Sequence, residues 1–180
     1  MNPSLLNKDN CVLVVIDVQE KLLPVIEGAD ECIKNIIKLI KFARIINIPI
    51  VFTEQRNLGN TVSEVLSEIH DPQPVSKITF NCFETEEFCD RLKRLGRDTL
   101  IITGVEAHIC VIQTALHTIP DYTVHVVDDA VSSRVFRNKE IAMERLRANN
   151  VTITSTEIFI YEMLKRAGTD EFRQTLPLVK

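Results

Sequence analysis

The sequence predicts an α/β protein, a three-layer αβα sandwich built on a doubly wound parallel sheet of about six strands. Three observations carry this. Cys11-Val12-Leu13-Val14-Val15-Ile16 is an unbroken apolar run rich in β-branched residues, the mark of a strand covered on both faces. Extended and helical patterns then alternate to the end of the chain, with no repeat or low-complexity segment between them. The chain has 180 residues, 45% hydrophobic and 26% charged, so residues 1–180 are expected to form one domain with a substantial core.

Residues 1–10 are polar and read as an arm. The first strand ends at Asp17, which therefore falls at the carboxyl edge of the sheet, where open α/β sheets bind ligands. An Asp there also serves as a plain turn residue, and both readings stand at this point. Pro24 to Gly28 reads as a loop. Asp30 is the candidate N-cap of a helix carrying Ile33, Ile36, Ile37 and Ile40 on one face and running to about Ile46. Asn47-Ile48-Pro49 breaks it, and Ile50 to Thr53 forms the second strand, followed by Glu54-Gln55-Arg56 at the same edge. Residues 57–74 read as a long loop around a short helix near Val62 to Ile69, and long loops often carry function.

Val75 to Phe80 is a short extended stretch containing Lys77, which suits a solvated edge strand as well as a site. Thr85 caps a helix with Phe88, Leu92 and Leu95 inward and Gly96 as its stop. Leu100 to Thr103 is the third major strand. Cys110 then stands at the head of a helix through Ala115 and Leu116, and a helix N-terminus favours thiolate over thiol. Buried, inert cysteine is the other reading. Tyr122 to Val127 forms the fourth strand, ending at Asp128-Asp129-Ala130, with Ser132 and Ser133 opening a loop. A helix over Arg137 to Asn149, a strand over Val151 to Thr154 and a helix from about Glu157 to Ala167 follow. The apolar residues Phe172, Leu176, Leu178 and Val179 predict a tail docked on the body or on another subunit.

Composition narrows the function. The formal net charge of -4, with no basic run, argues against nucleic acid or an anionic membrane as partner. No apolar run is long enough to span a bilayer, and no signal core follows a charged start, so a cytoplasmic protein is expected. Five cysteines without a C-x-x-C pair fit a reducing compartment and no disulfide framework. Glycine-rich nucleotide fingerprints are absent.

Asp17, Lys77 and Cys110 fall on one predicted edge. A carboxylate beside a cysteine can take its proton, and an ammonium beside both holds the resulting charges. On the segments Val14-Val15-Ile16-Asp17-Val18-Gln19, Lys77-Ile78-Thr79-Phe80-Asn81-Cys82-Phe83 and Thr103-Gly104-Val105-Glu106-Ala107-His108-Ile109-Cys110-Val111, the chain resembles the isochorismatase-like cysteine hydrolase superfamily. That superfamily includes nicotinamidases and carbamoylsarcosine amidohydrolases. Thr53-Glu54-Gln55 and Gly104-Val105-Glu106-Ala107-His108 make it most similar to the isochorismatase domain-containing branch.

The resemblance implies an Asp–Lys–Cys triad on Asp17, Lys77 and Cys110. It implies a non-proline cis peptide between Val105 and Glu106, with the backbone N–H groups of Glu106 and Cys110 forming an oxyanion hole. It implies hydrolysis of a C–N amide or related bond of a small molecule through a thioester, and a homo-oligomer. Gln19, Gln55, Phe83 and His108 are the candidate substrate contacts; Phe83 also suits core packing, and His108 also suits local hydrogen bonding at the helix entry. Nicotinamidases carry an Asp-x-His and further histidines where this chain reads Glu54-Gln55-Arg56, with only His70 nearby, so no metal and no other cofactor are expected. His117 and His125 read as structural, and Cys82 and Cys89 as core. The alternative function is a catalytically silent or redox-responsive thiol protein that uses the fold as a scaffold.

Overall fold

The computed structural model describes residues 5–180. Its centre is a six-stranded, wholly parallel sheet. The strands are β1 (Cys11–Ile16), β2 (Ile50–Gln55), β3 (Val75–Lys77), β4 (Thr99–Val105), β5 (Thr123–Ser132) and β6 (Thr152–Thr154), in the spatial order β3-β2-β1-β4-β5-β6. The helices are α1 (Ala29–Ile45), α2 (Ser63–Leu66), α3 (Glu86–Leu95), α4 (Ile112–Thr118), α5 (Phe136–Ala148), α6 (Thr156–Leu164) and α7 (Asp170–Val179). The doubly wound αβα fold expected from the sequence is the fold observed.

Strand β1 shows why. All six of its residues are buried. Cys11, Leu13 and Val15 face a core built with α1, α6 and the end of α7, where Phe42 and Phe159 meet edge to face at 5.9 Å. Val12, Val14 and Ile16 face a second core with α3, α4 and α5. Each fully buried aliphatic side chain is worth roughly 1.5–3 kcal/mol. Both faces of β1 are committed in this way, so it sits centrally between β2 and β4 with its register fixed.

Several boundaries differ from expectation, each for a local reason. Of the polar arm, residues 1–4 lie outside the described residues; Leu6 is buried and Lys8–Asn10 form a 3-10 turn capped by Asn7. Helix α1 begins one residue before Asp30, from Gly28 with φ +67°, because Glu27 is already tied to the Ser132–Ser133 corner. Asp30 instead adds negative charge to the first turn. Strand β5 runs five residues past Val127, through both aspartates. Asp129 accepts from the backbone N–H and hydroxyl of Thr156, and Asp128 lies 3.8 Å from Lys139, so neither has to end the strand. Helix α6 stops three residues early, at a left-handed Lys165. The apolar tail forms α7, packed against α1.

Candidate active site

The carboxyl edge of the sheet gathers side chains from three strand ends. Asp17 follows β1 in a left-handed conformation, φ 52°, and is fully buried. Its backbone N–H donates to Thr53 O, and its Oδ1 accepts from the Thr53 hydroxyl at 2.7 Å. Lys77 ends β3, two strands away; its long stem crosses over β2 and is itself 98% hidden by neighbours, being 2% exposed. Its Nζ donates to Asp17 Oδ2 at 2.6 Å, Gln55 Oε1 at 2.8 Å and Thr79 O at 3.2 Å, and lies 3.6 Å from Cys110 Sγ. Thr53 and Gln55, both on the intervening β2, thus fill the gap between acid and amine.

Cys110 approaches from β4. Gly104 makes the approach possible: its φ is +108°, and a Cβ there would collide with the backbone of Ile16. Beyond it the Val105–Glu106 peptide bond is cis. The chain then enters a π turn, Ala107–Val111, before α4. The wide turn puts its long-range bond at Val111 N–H to Glu106 O, 3.3 Å, so Cys110 lies inside the turn and not at its head.

The electrostatics bear on one expectation. Burial pushes the Cys110 thiol well above its ordinary value, and the neighbouring Asp17 carboxylate pushes it further; Lys77 pulls the other way without prevailing. Of the two readings of Cys110, these surroundings favour the protonated thiol over the thiolate of a helix start. Burial also works against the charged Lys77, but Asp17 outweighs it and holds the amine above its ordinary value. Cys82, expected as inert core, lies near enough that Lys77 and Asp17 both act on it; burial still raises it to about 11.

The four expected substrate contacts divide. Gln19 is fully buried and fully engaged: Nε2 donates to Gln55 O and Gly59 O, and Oε1 accepts from Gln55 N–H at 2.8 Å. It clamps the end of β2 to the following loop and has no group left for a substrate. Phe83 packs on Phe88, Tyr122 and His117, within an aromatic cluster of the α3–α4 face, so packing is its role here. Gln55 is committed to Lys77 and, through Nε2, to Ile78 O. His108 is half-buried, with Nδ1 2.9 Å from Ser133 Oγ.

Of the remaining candidates, Glu54 is taken up by the Thr61 N–H and hydroxyl, and His125 is buried with Nδ1 unpartnered, its pKa lowered by burial. Among the described residues, no group of three or more His, Cys, Asp or Glu is placed to hold a metal ion.

Two residues take on a role that the sequence does not signal. Thr53 figures there only as the end of an apolar strand and as part of the Thr53-Glu54-Gln55 resemblance. Arg134 gave no signal. Its guanidinium grips the buried Glu106 carboxylate through Nε and Nη2, at 2.6–3.1 Å, and its backbone N–H donates to the same group at 2.9 Å. Burial alone would raise Glu106, but these contacts hold it below the usual carboxylate value.

A buried acid, amine and thiol at the ends of β1, β3 and β4 can be compared with known proteins. The Isochorismatase domain family matches residues 11–158. The chain belongs to the isochorismatase family. It is 34% identical over 176 residues to the secreted isochorismatase effector Isc1 of Phytophthora sojae, covering 94% of this chain and 84% of that protein. MAR1 ribonuclease of Caenorhabditis elegans superposes with a TM-score of 0.91 at 30% identity, over 98% of this chain and 92% of that one. The Escherichia coli YcaC gene product, described as an octameric hydrolase of unknown specificity, has the same fold, with a TM-score of 0.89 at 23% identity over 98% and 94% of the two chains.

Proposed function

We propose that residues 1–180 of this isochorismatase-family chain act as one cysteine hydrolase domain on a C–N amide or related bond of a small molecule. The reading rests on one observation: Lys77 Nζ lies 2.6 Å from Asp17 Oδ2 and 3.6 Å from Cys110 Sγ, with all three residues buried. Asp17 takes the thiol proton as Cys110 Sγ attacks the carbonyl carbon. Lys77 holds the carboxylate and sulfur in place. The N–H groups of Glu106 and Cys110 receive the tetrahedral oxyanion. The C–N bond breaks as Asp17 returns the proton to the leaving amine. Water then attacks the thioester, giving its proton to Asp17, and the carboxylic acid leaves as the thiol re-forms.

A resting thiol fits this sequence, since proton transfer then occurs only with substrate in place. His108, half-buried and two residues before Cys110, is the polar candidate for a substrate contact. No step needs a metal or organic cofactor. The ribonuclease name of the C. elegans relative is set against a formal net charge of -4. Ile78 and Phe80 after β3, and Val135 and Phe136 after β5, are about half or more exposed at the same edge as the site, and favour a homo-oligomer. Five free cysteines favour a reducing compartment such as the cytoplasm. The second reading, reversible oxidation of Cys110, is the weaker one, since burial raises both Cys110 and Cys82 and oxidation follows thiolate character.

The test is iodoacetamide alkylation followed by peptide mass spectrometry, alongside a panel of primary amides. Cys110 is expected to be alkylated in the native chain, more slowly in Asp17→Asn, with amide turnover lost in Cys110→Ser. Alkylation confined to the half-buried Cys89, with turnover unaffected by Cys110→Ser, would sink the proposal. No turnover, with a peroxide-induced mixed state at Cys110, would favour the second reading.

A further inference from the structure

The amino end of the sheet holds a different arrangement. A shallow, open depression of about 600 Å³ lies there, lined by Arg44, Asn47, Pro49, Arg94 and Arg97 among others. Pro49 precedes β2 and Arg97 precedes β4, so this is the opposite end from Asp17 and Cys110, roughly 20 Å away by the rise of a six-residue strand. The three arginines come from three places: the last turn of α1, the last turn of α3 and the link into β4.

Each guanidinium is oriented by backbone oxygen. Arg44 Nη1 donates to Glu68 O at 2.6 Å. Arg94 Nε donates to Asp90 O at 3.2 Å. Arg97 Nη1 donates to Lys8 O and Cys11 O at 2.7 and 2.8 Å. A guanidinium has five N–H donors, so each keeps several unused by these bonds. The carboxylates beside them are occupied: Glu68 lies 3.2 Å from Lys41 and Asp90 3.9 Å from Lys93. Among the described residues none of the three arginines forms an ion pair, and no acid lines the cavity.

Arginine at a helix C-terminus complements the helix dipole, which accounts for Arg44 and Arg94 singly. It does not account for three like charges facing one acid-free cavity in a chain of net charge -4. Such a set repels itself and is relieved by a bound anion, and the planar fork of arginine matches phosphate oxygens.

We propose that this cavity binds a small phosphate-bearing anion, a phosphate monoester or pyrophosphate, through Arg44, Arg94 and Arg97. The three arginines span one short, open patch, and the remaining charge of the chain is negative, which disfavours a long polyanion.

The test is calorimetric titration of the full chain with inorganic pyrophosphate at constant ionic strength. One saturable site is expected. Arg94→Gln should weaken it roughly tenfold or more, since each lost charge-assisted contact is worth about one decade. Arg44→Gln with Arg94→Gln together should abolish it, leaving Cys110 alkylation unchanged, which separates this result from the fate of the hydrolase reading. No saturable binding into the millimolar range overturns the proposal. So does binding that survives the double variant, or an oligonucleotide that binds more tightly in proportion to its length. Should the double variant fold poorly, pyrophosphate protection of the three arginines against phenylglyoxal in the native chain decides the matter; absence of protection counts against the site.

Discussion

Two ion pairs stand at the same edge of the sheet and are built in opposite ways. In Asp17–Lys77 both side chains are wholly out of solvent, at 0% exposure each. In Glu106–Arg134 the carboxylate is buried at 3%, but the guanidinium is 52% exposed. The first pair has no water to fall back on, so every oxygen and proton must be met by protein: Thr53 takes one Asp17 oxygen, while Gln55 and Thr79 take Lys77 protons. The second has an outer partner that water can solvate. A sealed pair holds charge where a reaction needs it, and a half-open pair fastens one piece of backbone to another. Here it fastens the Glu106 turn to the corner after β5, a corner that also meets His108 through Ser133.

The sharpest way to break this contrast is Lys77→Met. It leaves the Asp17 carboxylate buried without its cation, and such half-removed pairs cost about 3–5 kcal/mol. Urea unfolding should show that loss, and turnover should vanish. The double change Asp17→Asn, Lys77→Met removes both charges and should recover most of the stability while turnover stays lost. If the single and double variants unfold alike, the pair is not sealed as described.

Alkaline pH is expected to act on this pair and on buried thiols elsewhere in the fold. Lys77 is raised, so its stabilisation is complete below its unfolded value of about 10.5 and is lost as pH climbs through the folded value. The buried thiols act earlier. Cys11 and Cys32 are raised by burial to about 12, so above about pH 9 they ionise only in the unfolded chain. Each then costs up to about 1.4 kcal/mol per pH unit. The melting temperature should hold level to about pH 8.5 and fall steeply beyond it, and less steeply in Cys11→Ala. Thr53→Val is smaller. It preserves shape and removes one hydrogen bond to a charged group, worth about 1.5–3 kcal/mol. Urea unfolding should register it, with slower Cys110 alkylation.

Much of this was legible in the chain, and the gaps have physical causes. Val12 to Ile16 could be only a buried central strand, and the residue types at 17, 77 and 110 fitted one family pattern. What supports them depends on strand register, which periodicity does not encode. Thr53 reaches Asp17 because it sits beside Ile16 across the β1–β2 pair. Gln19 could not be placed from sequence, because an amide serves a ligand or a backbone equally well, and only the nearby Gly59 and Gln55 carbonyls decide. The helix start near Cys110 was read, but burial and Asp17 set the sign of its shift, and both are matters of packing. Arginines 44, 94 and 97 are scattered in sequence and converge only through the ends of α1 and α3.

The half-open pair gives the mildest prediction and the most discriminating one. Arg134→Ala leaves Glu106 the backbone N–H of residue 134, so the fold should survive with a nearly unchanged melting temperature. Turnover should fall roughly tenfold to a hundredfold, the usual penalty for a slightly misplaced reacting group. Because Arg134 is half-exposed, added salt should slow the native protein, and it should not slow Arg134→Ala further. Acid acts the same way. Glu106 is depressed, so its contribution is present above the unfolded value near 4.5 and is lost as pH falls through the folded one. Glu106→Gln should therefore lose part of the acid sensitivity of turnover. Equal salt and acid responses in Arg134→Ala and the native chain would mean the clamp does nothing for the site, and the contrast between the two pairs would reduce to one of burial alone.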